Sequence, residues 1–72
     1  MTWHDCKTDP PKKEGEYLLV YSYRKAKDWS RAIYNGVNWI DEENNIPYGV
    51  KNSCYYMFIP YKWAEIDLSE VE

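Results

Sequence analysis

An Asn-Gly dipeptide between two β-type runs most constrains what this chain can fold into. Asn35-Gly36 follows residues 29–34 and precedes residues 37–40, and both runs are rich in aromatic and β-branched residues. A type I′ turn requires positive φ at both central positions, which Asn and Gly tolerate better than other residues. The pattern predicts a two-residue β-hairpin, and the fold must therefore contain an antiparallel sheet.

A two-residue turn also fixes which side chains share a face of the hairpin. The expected opposite pairs are Tyr34 with Val37, Ile33 with Asn38 and Ala32 with Trp39. The expected faces are Ala32, Tyr34, Val37 and Trp39 on one side, and Arg31, Ile33, Asn38 and Ile40 on the other. Because small Ala32 leaves room for the Trp39 indole, we expect the first and more apolar face to point into the core.

Two further parts of the chain have the composition of β-strands. Residues 16–23 follow a turn at Gly15 and are almost continuously apolar, which is typical of a strand covered on both faces at the centre of a sheet. Residues 55–59 form a dense run that Pro60 closes, and residues 61–66 alternate as a last strand. The sequence therefore predicts a mainly β fold, a four- to five-stranded antiparallel meander joined in sequence order around the central Asn-Gly hairpin.

The remaining segments are predicted to be connections and termini. Residues 1–15 contain two adjacent prolines and are expected to form an extended lead-in, and residues 24–28 a charged hairpin loop. Residues 41–54 are expected to form a long loop, although their acidic start also suits one helical turn, which would make the fold a small α+β one. Residues 67–72 form an acidic tail that we expect to fray.

Length and charge exclude several classes of protein. A chain of 72 residues is expected to be a single small domain spanning residues 1–72. Nine basic and twelve acidic residues give a net charge of −3, which argues against binding to duplex DNA or to an anionic membrane. The sequence has neither an apolar run of roughly 20 residues nor an apolar signal region, so we expect a cytoplasmic protein.

The cysteines and the single histidine indicate no metal or cofactor site. Cys6 and Cys54 lack the spacing of a zinc or redox motif, and reduced thiols are expected in the cytoplasm, with a stapling disulfide as the alternative. Zinc would need two more ligands of the soft or imidazole type, and His4 is the only histidine. We expect an exposed, unpaired imidazole at this position.

The sequence also lacks an arrangement typical of an enzyme. A Cys/His pair would have no third group to orient it, and the adjacent Glu42 and Glu43 would point to opposite faces of a strand. The three glycines are far apart, so they form no phosphate-binding loop. We therefore expect a protein without catalytic activity.

Thirteen aromatic rings, from 8 Tyr, 4 Trp and 1 Phe, are more than a core of this size needs. A short domain gains only about 3–5 kcal/mol from its core, and losing a buried Trp or Phe costs about as much. Most of a first group of rings are therefore expected to be structural, namely Trp39, Trp63, Tyr17, Tyr34 and Phe58. The surplus rings, some of which must lie on the surface, are Tyr21, Tyr23, Trp29, Tyr48, Tyr55, Tyr56 and Tyr61, and Trp3 is assigned to neither group.

The order of several motifs resembles a known family. These motifs are Trp3, Pro10-Pro11, the run from Gly15 to Val20, the run from Ala32 to Gly36, Trp39, and Trp63 with Ile66. They resemble the DUF551-like family of short phage and prophage proteins, whose pattern has a tryptophan, a YLV strand, a Y-N-G-x-x-W hairpin and a closing H-W pair. Lys62 occupies the position of the family's histidine. The resemblance implies a phage-type accessory protein and supplies no catalytic residues.

Recognition of another macromolecule is the function that these residues favour. The leading hypothesis is that the chain binds a host protein with a basic surface, such as a defence nuclease. It would inhibit this partner in the manner of an anti-CRISPR protein. Its phosphate-binding arginines would be occupied by carboxylates and its base-stacking sites by tyrosines. The predicted partner-binding residues are Asp41, Glu42, Glu43, Tyr48, Tyr55, Tyr56, Tyr61, Tyr23 and Trp29. Further carboxylates come from Glu65, Asp67, Glu70 and Glu72.

Two alternatives remain open. Aromatic rings beside cations also suit single-stranded nucleic acid, through stacking and phosphate contacts. The residues for that function would be Arg24, Lys25, Lys27, Arg31, Tyr21, Tyr23 and Trp29. The other alternative is a structural module that forms a homodimer, because an open meander exposes edges that a second copy can pair.

Overall fold

The computed structural model describes residues 2–66, which form one open antiparallel sheet of five strands. The strands are β1 (His4–Asp5), β2 (Gly15–Tyr23), β3 (Ala26–Tyr34), β4 (Trp39–Asp41) and β5 (Phe58–Ala64). The predicted mainly β antiparallel fold is confirmed, and no helix occurs in the described part of the chain. The described residues accordingly include no helix long and apolar enough to cross a membrane. The predicted acidic tail lies outside the described residues.

The strand order within the sheet is β1-β5-β2-β3-β4. Strands β2, β3 and β4 follow one another as a meander, and β2 is the central strand, as predicted. The last strand does not continue this order but returns to lie between β1 and β2. The lead-in is more ordered than expected, because His4 and Asp5 pair with Trp63 and Lys62 of β5. Both ends of the described chain therefore meet at one edge of the sheet.

The hairpin between β3 and β4 forms, but its predicted two-residue turn is wrong. Tyr34 pairs with Trp39 rather than with Val37, which leaves a four-residue loop at residues 35–38. Positive φ occurs there only at Gly36, at 95°, whereas a type I′ turn needs it at two positions.

A side chain explains the wider loop. The Asn35 Oδ1 atom accepts hydrogen bonds from the backbone N–H groups of Val37 and Asn38, at 2.9 and 2.7 Å. Asn35 thus stabilises a larger turn in place of the tight one. The new pairing leaves the predicted core face intact for Ala32 and Trp39, which are buried, but Val37 is 80% exposed in the loop.

Two other predicted boundaries also shift. The loop between β2 and β3 is only Arg24-Lys25, with Arg24 at a φ of 59°, so the rest of the predicted 24–28 loop belongs to β3. Pro60 does not close a strand, because β5 runs through it. The register shifts next to Pro60, which makes a β-bulge and places Tyr61 as the extra residue.

The segment between β4 and β5 is a long loop, as predicted, and it lies against one face of the sheet. The expected helical turn is reduced to a single hydrogen bond from the Asn45 N–H to the Asp41 carbonyl, at 2.8 Å. Tyr48 of this loop is buried against the sheet. The core cluster that results consists of Leu19, Ala32, Trp39, Tyr48 and Trp63.

Candidate functional site: the open face of the sheet

The pleat of the sheet divides its side chains between two faces with different surroundings. The face that carries Leu19, Ala32 and Trp63 is covered by the long loop, and we call it the front face. The opposite face carries Leu18, Val20 and the residues paired beside them, and we call it the open face. The long loop packs on the front face, whereas on the open face Trp3 of the lead-in lies beside Leu18 and Val20. Candidate contact residues are therefore sorted by face.

The front face uses several of the rings that the sequence assigned to a partner. Tyr21, Tyr48, Tyr55 and Phe58 form a cluster of nearly parallel rings, with centroids 4.9–5.5 Å apart between stacked neighbours. Stacked rings at this spacing stabilise the core beyond their buried area. This cluster holds the long loop on the sheet, so its rings have a structural role.

Tyr48 is therefore corrected from a contact residue to a core residue. It is only 5% exposed, and its hydroxyl lies 3.3 Å from the Ser30 hydroxyl and 3.5 Å from an Asp41 carboxylate oxygen. Burial, which disfavours the charged phenolate, raises the pKa of Tyr48. A partner would reach this ring only if the loop opened, and the half-buried Tyr55 is stacked on it.

The centre of the open face is an apolar hollow, which we call the tryptophan patch. It is lined by Trp3, Leu18, Val20 and Trp29. Trp29 is 64% exposed and Trp3 is 41% exposed, although both are large apolar side chains. The prediction that β2 is covered on both faces is therefore wrong for this side, where Leu18 and Val20 are only half-buried. Contiguous exposed apolar patches are a common feature of interaction surfaces.

One end of the open face is acidic, and we define this acidic end as Glu16, Glu42 and Glu43. Arg31 lies between its carboxylates and the tryptophan patch, with its Nη1 atom 3.8 Å from a Glu16 oxygen. A hydrogen bond to the neighbouring Glu16 carboxyl raises the pKa of Glu42, because two carboxylates so close favour a shared proton. The sequence identified Glu42 and Glu43 but missed Glu16, which only the β2–β3–β4 pairing brings beside them.

Asp41 was predicted to act with these two glutamates, but its carboxylate is bonded within the chain. It accepts hydrogen bonds from the backbone N–H and the side-chain amide of Asn44, at 3.1 and 2.7 Å. The Tyr48 hydroxyl also points to it. Asp41 lines the same surface hollow as Glu42 and Glu43, but these bonds hold its carboxylate to the loop, so it is not counted in the acidic end.

The other end of the open face is basic, and we define this basic end as Lys7, Lys27 and Lys62, which together outnumber the neighbouring Asp5 carboxylate. Tyr61 lies at its centre, with the Lys27 ammonium 4.8 Å and the Lys62 ammonium 5.3 Å from the ring centroid. Such distances give cation–π attraction. Lys7 lines the same surface hollow as Lys27 and Tyr61. No local pattern predicts this group, because the bulge at Pro60 places Tyr61 there.

The predicted contact residues are thus divided over the molecule. Trp29, Glu42, Glu43 and Tyr61 lie on the open face or at its ends. Tyr23 lies at the front, edge-on to Phe58, with the Arg24 guanidinium 5.5 Å from its ring centroid. Tyr56 is exposed in the loop before β5.

A second group of polar residues surrounds His4 at the edge formed by β1. The prediction of an unpaired imidazole is wrong, because His4 stacks on Trp63 at 4.4 Å and its Nδ1 atom lies 2.9 Å from an Asp9 oxygen. The Trp63 indole N–H also donates to the Asp9 carbonyl at 2.7 Å. These contacts attach the lead-in to β5, and Lys12 lines the cleft beside them.

Cys6 and Cys54 are not bonded to each other, and Cys6 is partly buried whereas Cys54 is exposed. Burial, with a smaller contribution from Asp5, raises the pKa of Cys6 to about 12, whereas a nucleophilic thiol needs a lowered one. The residues that the structure describes contain no cluster of three or more potential metal ligands.

Comparisons with known proteins give no relative from which to assign a function. Neither protein-family models, nor curated proteins, nor solved structures match the chain. The resemblance to the DUF551-like family therefore depends on its motifs alone, and the geometry of the open face is the main evidence about function.

Proposed function

We propose that this protein is a non-enzymatic interaction protein that binds another protein through its open face. The observation that carries this proposal is the exposure of Trp29 beside Trp3 in an apolar hollow of the sheet. Burying both indoles against a partner would remove a large apolar area from water. Tryptophans are enriched among the residues that dominate binding energy, because they are large and have few rotamers to lose.

The position of Trp29 on a paired strand supports this function. Trp29 pairs with Val20 of the central strand, so its backbone is held by the β2–β3 ladder. A side chain on a rigid strand loses less entropy on binding than one on a mobile loop. The protein therefore offers a preformed surface, and the front face supplies the stability that this requires.

We propose a basic host protein as the partner, with the acidic end as the second part of the contact. Glu16, Glu42 and Glu43 lie within reach of one surface, and carboxylates form strong bidentate pairs with arginine. The resemblance to small phage proteins favours a defence nuclease, whose nucleic-acid channel is rich in such arginines. A partner of this kind would place the protein in the cytoplasm.

Two matched variants test the proposed surface. Tagged protein would capture partners from host lysate, and the affinity of each purified partner would then be measured by calorimetry. Trp29→Ala should weaken binding by roughly 30-fold or more, as expected for a hot-spot residue. The control is Tyr56→Ala, which removes a ring of the long loop that is 54% exposed and should leave the affinity unchanged. Equal losses in both variants would contradict the proposal.

The charge contribution needs a separate measurement. Glu42→Gln with Glu43→Gln should slow association and reduce its dependence on salt, because exposed charges act mainly on the association rate. The control is Glu14→Gln, an exposed glutamate outside the acidic end. An unchanged salt dependence of the Glu42/Glu43 variant would argue against a basic partner.

A second candidate function is binding of single-stranded nucleic acid at the basic end. The observation that favours it is Tyr61 between two lysines, an arrangement that suits a stacked base with a neighbouring phosphate. The residues predicted for this function are otherwise separated, since Tyr21 is on the front face and Lys27 on the open one. Quenching of tryptophan fluorescence by an oligonucleotide, lost in Tyr61→Ala and in high salt, would support it.

A further inference from the structure

The open face has opposite charges at its two ends. In β2, Glu16 begins this face and Ser22 ends it, six residues or about 20 Å farther along the strand. Lys27 pairs with Ser22, and Glu16 belongs to the acidic end. The tryptophan patch lies between them, at Leu18 and Val20. The face is therefore acidic, apolar and basic in that order along the strands.

We propose that this face binds a second copy of the chain in a two-fold symmetric dimer. When two such faces meet around a two-fold axis that crosses the strands, the acidic end of each copy lies over the basic end of the other. The two tryptophan patches then meet near the axis. An axis along the strands would instead bring like charges together, so charge complementarity selects the first arrangement.

The symmetric contact explains features that a single copy leaves without a role. Trp29 and Trp3 would be covered, and Tyr61, with Lys27 and Lys62 beside it, would face the carboxylates of the other copy. The alternative foreseen from the sequence was pairing through sheet edges, whereas this dimer packs face to face. This dimer rests on the proposed function because both use the open face. A host partner would therefore have to displace the second copy.

Charge reversal at one end provides the sharpest test. The first variant, Lys27→Glu with Lys62→Glu, makes both ends acidic, and the second, Glu16→Lys with Glu42→Lys, makes both ends basic. Each variant alone should self-associate more than about tenfold more weakly than the natural chain, because like charges meet at both ends. An equimolar mixture should form a heterodimer, because opposite charges then meet at both ends again. Circular dichroism of each variant would verify that the sheet is folded.

Sedimentation velocity over a concentration series gives the readout. The natural chain should approach about twice 8.7 kDa, and Trp29→Ala should stay near 8.7 kDa. A natural chain that remains monomeric at millimolar concentration would overturn the dimer. Dimers that persist in both charge variants, or a mixture that forms no heterodimer, would overturn this arrangement of the two copies.

The same variants separate the dimer from the proposed function. If the first charge variant is monomeric and still captures a host protein through Trp29, the open face binds that partner independently of self-association. If the natural chain is monomeric and Trp29→Ala still abolishes capture, the dimer is refuted and the proposed function stands. If Trp29→Ala abolishes the dimer without affecting capture, the dimer stands and the proposed function is refuted.

Discussion

The two faces of the sheet are built from the same strands but have opposite surroundings. Alternate residues of β2 point to each face, so Leu19 is fully buried while its neighbours Leu18 and Val20 line an open hollow. The tryptophans divide in the same way, with Trp39 and Trp63 packed in the core and the other two exposed. Aromatic content alone therefore does not reveal function, because the face on which a ring lies determines whether it stabilises the fold or is free for a partner.

The largest effect on stability is expected from the replacement of a tryptophan on the front face. Trp39→Ala should lower the free energy of unfolding by about 3–5 kcal/mol, since it leaves a cavity beside Tyr17 and Tyr34. Urea unfolding followed by circular dichroism would measure this, at a concentration where the chain is monomeric. Trp29→Ala is the matched control and should cost less than about 1 kcal/mol, because the side chain is mostly exposed. Similar losses in the two variants would show that the faces are not distinct.

A smaller loss of stability is expected from a substitution where the long loop meets the sheet. Gly49 has a φ of 68°, and a Cβ atom there would lie 3.2 Å from Pro60 Cδ, so Gly49→Ala should cost about 1–3 kcal/mol. Gly36 also has a positive φ, but its nearest neighbour is the flexible Glu14 side chain, at 3.4 Å. Gly36→Ala should also lower the thermal stability, through backbone strain, because its φ of 95° lies outside the left-handed region that alanine can enter. A Gly49→Ala variant as stable as the natural chain would mean that the loop is not held tightly against β5.

The hydroxyl of the buried tyrosine is expected to contribute less than its ring. Tyr48→Phe keeps the aromatic cluster and loses the contacts to Ser30 and Asp41, which should cost about 0.5–1.5 kcal/mol. Tyr56→Phe is the control and should leave the urea midpoint unchanged, because this ring is exposed. A cost near zero for Tyr48→Phe would indicate that water replaces these contacts readily.

The smallest effect concerns the thiol that packs against the core. Burial raises the pKa of Cys6 from 9.0 to about 12, so its neutral form stabilises the folded state. This contribution is fully present below pH 9.0 and is lost as the pH rises towards 12. Cys6→Ala should therefore flatten the alkaline fall in stability, measured by urea unfolding at several pH values.

Thiol labelling provides an independent control for this prediction. At pH 8 the exposed Cys54 should react with a disulfide reagent much faster than the partly buried Cys6, whose raised pKa leaves little reactive thiolate. Equal rates for both thiols in the folded protein would contradict the assigned burial of Cys6.

Patterns within single runs of the sequence predicted much of this fold. The alternation around Ala32 and Trp39 identified the core face, and the dense run at residues 16–23 identified the central strand. Both depend on local periodicity and on hydrophobic content, which the sequence displays directly. The hairpin was also found, but the Asn35 side chain changed its turn, and single-sequence rules do not weigh that competing hydrogen bond.

Such rules could not predict the open face, because it depends on contacts between distant parts of the chain. The return of β5 beside β2 brings Lys62 next to Val20, and the bulge at Pro60 turns Tyr61 towards Lys27. Glu16 joins the acidic end only through the pairing of three strands. Sequence reasoning selected Trp29 for its type but had no means to separate it from the buried Tyr48.

The central claim, that one face of the sheet is packed and the other free, is tested most directly by the four indole N–H signals in an NMR spectrum. A soluble paramagnetic agent attenuates signals according to their exposure. The Lys27→Glu/Lys62→Glu variant, which we expect to be monomeric, would keep the open face uncovered. We expect strong attenuation for Trp29 and Trp3, which are 64% and 41% exposed, and little for Trp39 and Trp63, at 4% and 6%. Protection of Trp29 equal to that of Trp39 would contradict the account.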